Sequence, residues 1–131
     1  MARTTVSSGS PFEASIGFSR AVRVGPFIAV SGTAPIADDG SVAHPGDVAG
    51  QTQRCLDIIQ QAVAEAGGTL ADVLRTRIML TDITRWEEAA RVHERYFGDI
   101  RPASTFVEVS RLIDADWLVE IEADCVLGDQ V

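Results

Sequence analysis

An α+β domain, a single β-sheet with two helices on one face, is the fold class that this 131-residue sequence predicts. Three observations predict it. Two stretches, one after Asp47 and one after Thr84, repeat apolar residues at helical spacing. The stretches around them alternate, or run apolar, over the short lengths of strands. The resulting order is β-β-β-α-β-α-β-β, in which two amphipathic helices are enough to cover one face of one sheet. The length fits a single domain over residues 1–131, with about residues 1–12 as an irregular N-terminal segment and no room for a separate lid or cofactor domain. The other face of the sheet is bare in a monomer, and its apolar residues predict an oligomer that covers it.

Each element has its own warrant. Ser19 to Val24 and Phe27 to Gly32 form a hairpin about Gly25-Pro26; the first half alternates and the second is almost continuously apolar. Asp38-Asp39-Gly40 is a turn, leaving a short third strand at Ser41 to Ala43. Asp47 caps a helix carrying Val48, Thr52, Cys55, Leu56, Ile59, Val63 and Ala66 on one stripe, and Gly67-Gly68 stops it. In the strand Val73 to Thr81, Leu74, Thr76, Ile78 and Leu80 share one face and Val73, Arg75, Arg77 and Met79 the other. Thr84 and Glu87 have capping-box spacing before a helix whose stripe is Trp86, Ala89, Ala90, His93, Tyr96 and Phe97. Gly98 ends that helix, Pro102 prevents its resumption, and strands follow at Ala103 to Val109 and Leu118 to Leu127.

Composition narrows the function classes. The net charge is −8, with no Lys and eleven scattered Arg, which argues against nucleic acid as a partner because that affinity rests on cations neutralising phosphates. No apolar run approaches the roughly 18 residues of a membrane span, and MARTTVSSGS lacks the apolar core of a signal peptide, so a cytoplasmic protein with no membrane partner is expected. Cys55 and Cys125 stand apart from one another and from the His residues, so they read as buried small hydrophobes; neither a metal nor a cofactor is implied.

Few constellations carry chemistry. Glu120, Glu122 and Asp124 share one face of the last strand. A solvated acidic face is the plainer reading; if Arg75 and Arg77 supply cross-strand cations, one carboxylate can instead hold and polarise a water. His93 lies on an apolar helical stripe, where a core histidine with one hydrogen bond outweighs a catalytic base, and His44 lies in a loop. There is no G-x-S-x-G elbow and no glycine-rich phosphate loop, because Gly67-Gly68 ends a helix instead of opening one. Trp117 reads as packing at a strand end.

FSRAVRVGPFIAVSG, LRTRIMLTDI, RPASTFVEVSRL and VEIEAD, in that order and spacing, resemble the YjgF/Rid (reactive intermediate deaminase, RidA-like) family, formerly described as L-PSP endoribonuclease. The resemblance spans nearly the whole chain. It implies a chorismate-mutase-like subunit that forms a homotrimer, with small-molecule ligands in clefts between subunits. It also implies that Ser31-Gly32 contributes backbone contacts, that Phe18 is the aromatic wall and that Glu120 positions the water. Ser104 stands where deaminating members carry the arginine that grips a substrate carboxylate, with Thr105 beside it. A neutral hydroxyl in place of a bidentate guanidinium weakens carboxylate binding by about 2–4 kcal/mol. Phe18 stands for a tyrosine and Phe106 for a cysteine that many of those members have. Arg77 is a candidate substitute clamp; an ion pair with Glu120 or Glu122 is the equal alternative. Arg101, before a turn proline, reads as solvent-facing.

Two functions follow. The first is hydrolysis of a small reactive nitrogen metabolite, an imine, enamine or acylated relative, with deamination of 2-iminobutyrate-type compounds disfavoured by Ser104. The second is a non-catalytic metabolite-binding module on the same scaffold. RNA cleavage, suggested by the older family description, is disfavoured by the acidic chain.

Overall fold

The computed structural model describes residues 2–128 as one six-stranded sheet in the order β1-β2-β3-β6-β4-β5. The strands are β1 (Arg3–Val6), β2 (Ala21–Val24), β3 (Phe27–Thr33), β4 (Val73–Leu80), β5 (Ala103–Glu108) and β6 (Val119–Val126). The helices are α1 (Pro11–Ile16), α2 (Val48–Glu65) and α3 (Trp86–Phe97). Neighbours are antiparallel except β4 and β5, which are parallel and joined by the α3 crossover that a parallel pair requires.

The helices α2 and α3 cover one face. From α2, Val48, Cys55, Leu56, Ile59, Ala62 and Val63 enter the core against Ile28, Val30, Ile78, Leu80, Ile121 and Ala123 of the sheet. Asp47 caps α2 as expected, accepting a hydrogen bond from Gly50 N at 3.0 Å. Gly67, at φ 98°, takes the left-handed turn that stops the helix. Both cysteines are free and buried, and burial raises both thiol pKa values, that of Cys125 to about 11. Trp117 is buried as well.

Four local expectations need correction. The N-terminal segment is not irregular: Arg3–Val6 pairs with Val24–Ala21 as an edge strand, and Pro11–Ile16 forms a short helix capped by Ser10. Only Val6 of that strand is buried, so the polar sequence RTTV carries no alternation to read. The third strand at Ser41 to Ala43 shrinks to a single bridge between Ile36 and Val42, since the turn at Asp38-Asp39-Gly40 closes too tightly for a ladder. The Thr84–Glu87 capping box does not form. Asp82 instead accepts from both the amide and the hydroxyl of Thr84, and opens a single 3-10 turn before α3. In β4 a register shift between Val73 and Arg75 turns Val73 inward and leaves Leu74 58% exposed, whereas alternation from Thr76 onward runs as expected.

Candidate functional site

The β3–β6 pair at the centre of the sheet holds one cluster. The β3 register slips between Val30 and Thr33, and this irregularity displaces Ser31-Gly32 from the ladder. Ser31 Oγ donates to the Ser19 carbonyl at 2.6 Å, and the Gly32 carbonyl accepts from Arg20 Nη2 at 2.6 Å. Glu120 lies directly over Gly32: a Cβ added there would sit 2.8 Å from Glu120 Oε1, so the close approach requires glycine. Burial raises the Glu120 pKa, the Arg20 charge opposes that shift and the neighbouring Glu122 reinforces it. Phe18 lies under the Arg20 guanidinium, 5.6 Å from ring centroid to Cζ.

Arg20 is the residue that sequence reading missed here. It is only 7% exposed, and its Nε is buried without a hydrogen-bond partner. Burial lowers its pKa, while Glu13 and Glu120 hold the charge in place. Glu13 itself is anchored by the amide and hydroxyl of Ser8, at 3.1 and 2.5 Å. A signal existed in the position of Arg20, at the mouth of a strand two residues after Phe18, but an arginine there is ordinarily solvated.

The β4–β5 edge holds the second cluster, and it is uncharged. Ser104 lies beside Thr76 in the parallel register, and Thr76 Oγ1 donates to Ser104 Oγ at 2.8 Å. Thr76 Oγ1 also lies 2.9 Å from His93 Nε2. The imidazole packs on Phe97 and Phe106, with ring centroids 4.7 and 5.7 Å away, and Trp86 meets the far side of Phe106 at 6.3 Å. His93 is the half-buried histidine expected of its stripe, and burial lowers its pKa. No sequence spacing reveals that Thr76, His93 and Ser104 meet, because three different elements deliver them.

Arg77 and Thr105 point to the opposite, open face. Arg77 Nη1 reaches Glu122 at 3.3 Å and Asp124 at 3.0 Å, so its guanidinium is engaged as a cross-strand ion pair. Ser104 faces the helices instead. Within one chain β4 also lies between Ser104 on β5 and Glu120 on β6. The sequence-derived site residues therefore fall into a Phe18–Ser31–Gly32–Glu120 group, a Ser104 group, and Arg77 with Thr105 on the open face. Among the described residues no group of His, Cys, Asp or Glu could hold a metal ion, and no helix is long and apolar enough to cross a membrane.

Comparison with known proteins places this architecture. Residues 9–127 match the family described as Endoribonuclease L-PSP. A RutC family protein of Pyrococcus abyssi is 39% identical over 106 residues, 81% of this chain and 83% of that protein. The 3-aminoacrylate deaminase RutC of Acinetobacter baylyi is 36% identical over 101 residues, 77% of this chain and 79% of the relative. A crystal structure of a YjgF/YER057c/UK114 family member from Mycobacterium tuberculosis superposes with TM-score 0.87 and 51% identity, over 96% of this chain and all of that one. The YjgF gene product of E. coli superposes with TM-score 0.81 and 32% identity, over 94% and 98% of the two chains.

Proposed function

Because the chain belongs to the YjgF/Rid family, the family described as Endoribonuclease L-PSP, we propose that it is a trimeric cytoplasmic hydrolase of a small reactive nitrogen metabolite. The observation that carries this reading is the Glu120 carboxylate pressed against Gly32, half-buried, with its pKa raised and a buried arginine beside it. A carboxylate held in that way can accept a proton from water near neutral pH. Water adds to the carbon of a C=N group, its proton passes to Glu120 and the π pair moves to nitrogen. Return of that proton to nitrogen gives a carbinolamine, and transfer of its hydroxyl proton to nitrogen then breaks the C–N bond, releasing ammonia and leaving a carbonyl. The deaminase relative supports this class of reaction.

A second copy of the chain supplies what one chain lacks. Glu120 and Ser104 lie on different faces and different strands, and an inter-subunit cleft would bring the Glu120 group of one copy to the Ser104 group of the next. The open sheet face, with Phe27 57% and Val107 41% exposed, is the surface that trimer formation would cover. Ser31, Gly32, Phe18 and Thr105 would then line the cleft with Ser104. Arg77, tied to Glu122 and Asp124, would not act as the carboxylate clamp. The absence of a charged clamp at 104 also supports the second reading, a metabolite-binding module that does not turn its ligand over.

The test is a panel of enzymatically generated imines and enamines, 3-aminoacrylate included, assayed for ammonia release with wild type and Glu120→Gln. The expected result is turnover by wild type that falls 100-fold or more in the variant. No turnover of any compound by a protein whose light-scattering mass is that of a trimer would favour the binding module. A monomeric mass at micromolar concentration would defeat both.

A further inference from the structure

Every member of the Phe18–Ser31–Gly32–Glu120 group meets Arg20. Its backbone carbonyl accepts from Ser31 N at 3.0 Å and its amide donates to the Val6 carbonyl at 2.8 Å, so β1 and the displaced stretch of β3 fasten it from both sides. Its guanidinium donates from Nη2 to the Gly32 carbonyl at 2.6 Å and lies over the Phe18 ring. Through Gly32 it reaches Glu120, whose Oε1 sits 2.8 Å from the point where a Gly32 side chain would begin. Among the described residues no carboxylate comes within 4.0 Å of the guanidinium, so the acidic groups act on it through space and not by direct ion pairing. Its Nε is buried without a partner. Burying a cation with one nitrogen unpaired costs stability that a neutral side chain here would not, and such costs are characteristic of functional sites.

The charges facing Glu120 and Arg20 are few. Glu120 feels Arg20 and, along its own strand, Glu122; the β4 residue opposite it is the neutral Met79. Arg20 feels Glu13 of α1, Glu120, and Cys55 of α2, a thiol that burial keeps protonated. Arg54 and Asp38 line the same cavity as Arg20 but pair with one another at 3.1 Å, while Asp57 accepts from Tyr96 and Glu65 from Gln61. Two carboxylates thus share one guanidinium, and they differ. Burial would raise the Glu13 pKa, but hydrogen bonds from the Ser8 hydroxyl and amide outweigh it and hold the value below the ordinary 4.5. Burial lifts Glu120 above that value. Glu13 therefore stays ionised as a permanent counter-charge, and Glu120 is the partner whose protonation changes.

We propose that Arg20 is the positioning residue of this site: its guanidinium fixes the Gly32 carbonyl and the Phe18 ring around Glu120, and it supplies the constant positive charge that the Glu120 carboxylate faces while it takes a proton from water. The proposal deepens the functional reading above and rests on it for the role of Glu120. Burial by itself favours the neutral acid, which cannot accept a proton, whereas a nearby cation favours the carboxylate. An arginine keeps its charge throughout the range in which Glu120 titrates, so the balance between the two is set by where Arg20 is held. Arg20 acts through Glu120, Gly32 and Phe18 without touching substrate. The short helix α1 belongs to the site for the same reason, since it carries the Glu13 that supports the Arg20 charge.

Carbon NMR of the side-chain carboxyls tests this, with the Glu120 signal identified by its loss in Glu120→Gln. The Glu120 midpoint should rise by about one pH unit in Arg20→Gln and return toward the wild-type value in Arg20→Lys, which keeps the charge. The acid limb of ammonia release should move to higher pH by the same amount. A merely structural role would lower turnover at every pH and leave that limb in place. Wild type offers a second measurement that does not depend on Arg20→Gln folding. The buried Arg20 Nε–H, identified by its loss in Arg20→Lys, should report two protonations in its NMR shift, one below pH 4.5 from Glu13 and one above it from Glu120, and Glu120→Gln should remove the upper one alone. A Glu120 midpoint unchanged in folded Arg20→Gln overturns the proposal, and so does an Arg20 Nε–H that lacks the upper inflection. Absence of ammonia release from every compound would defeat the hydrolase reading, while both titrations would still decide whether Arg20 governs Glu120.

Discussion

Two regions of this sheet, the central β3–β6 pair and the β4–β5 edge, solve the burial of polar groups in opposite ways. At the β3–β6 pair, charges balance charges: Glu13 and Glu120 both support the Arg20 charge, and Gly32 removes its side chain so that the Glu120 carboxylate can close in. At the β4–β5 edge, neutral groups satisfy one another through Thr76, and charge enters only by protonation of His93. A charge in a partly dry site is costly and therefore reactive, whereas a chain of hydroxyls is cheap to bury and takes whichever polarity its neighbour imposes. The first region is suited to moving a proton from water, the second to choosing what is bound.

The largest expected effect breaks the first region. Gly32→Ala would place a methyl 2.8 Å from Glu120 Oε1 and push the carboxylate away from its position beside Arg20. Turnover should fall by about 100-fold or more, the scale of a lost general acid-base group. Thermal stability should change little, since Gly32 has an ordinary negative φ and the obstacle is the end of a side chain able to move. Retained activity with Glu120 displaced, checked by a crystal structure of the variant, would remove Glu120 from the mechanism.

Acid–base titration of stability sharpens the comparison next. Glu120 has a folded pKa above its ordinary 4.5, so the folded state holds a proton that the unfolded chain has lost. Stability attributable to Glu120 therefore declines as pH rises from 4.5 through the raised value. His93 has a folded pKa below its ordinary 6.5, so the unfolded chain holds the extra proton, and stability attributable to His93 rises with pH up to about 6.5. Urea midpoints across pH 4 to 8 should show Glu120→Gln removing the declining contribution and His93→Gln the rising one. Parallel profiles for wild type and both variants would mean that neither environment perturbs its group.

Much of the fold was legible because its signals are local. The Asp47 cap, the Gly67 stop and the alternation of Val119, Ile121, Ala123 and Cys125 against Glu120, Glu122 and Asp124 need only neighbouring residues, and the structure carries all three. Elements that draw stability from distant partners were not legible: Arg3–Val6 is a strand because β2 offers a free edge, and the Leu74 face is reversed by a register slip decided at β6. The site divides in the same way. Ser31-Gly32 and Glu120 were found by resemblance, whereas Arg20 and the Thr76–His93–Ser104 chain depend on contacts between separate elements, Thr76 and Ser104 alone standing 28 residues apart. His93 and Thr76 were visible as residues, but their meeting was not.

The smallest effect expected is at Arg77, and its size separates the open face from the Ser104 edge. The side chain of Arg77 is 41% exposed, and those of its partners Glu122 and Asp124 are 37% and 41% exposed, so water screens both pairs heavily. Arg77→Ala should cost about 0–1 kcal/mol in a subunit with that face open, an amount shrinking further as salt is raised. It should leave the affinity for any carboxylate unchanged, because the side chain lies on the face opposite Ser104. Ser104→Arg, in contrast, introduces a guanidinium on the edge strand beside His93 and Phe106, and should produce measurable binding of a small 2-oxo acid at pH 8, where His93 is neutral. Since the two side chains share no partner, the double variant should show the sum of the two single effects within about 0.5 kcal/mol. A coupling larger than that, measured by calorimetry over the four-member cycle, would mean that Arg77 reaches the carboxylate after all, through a neighbouring subunit whose open face and Ser104 edge come together.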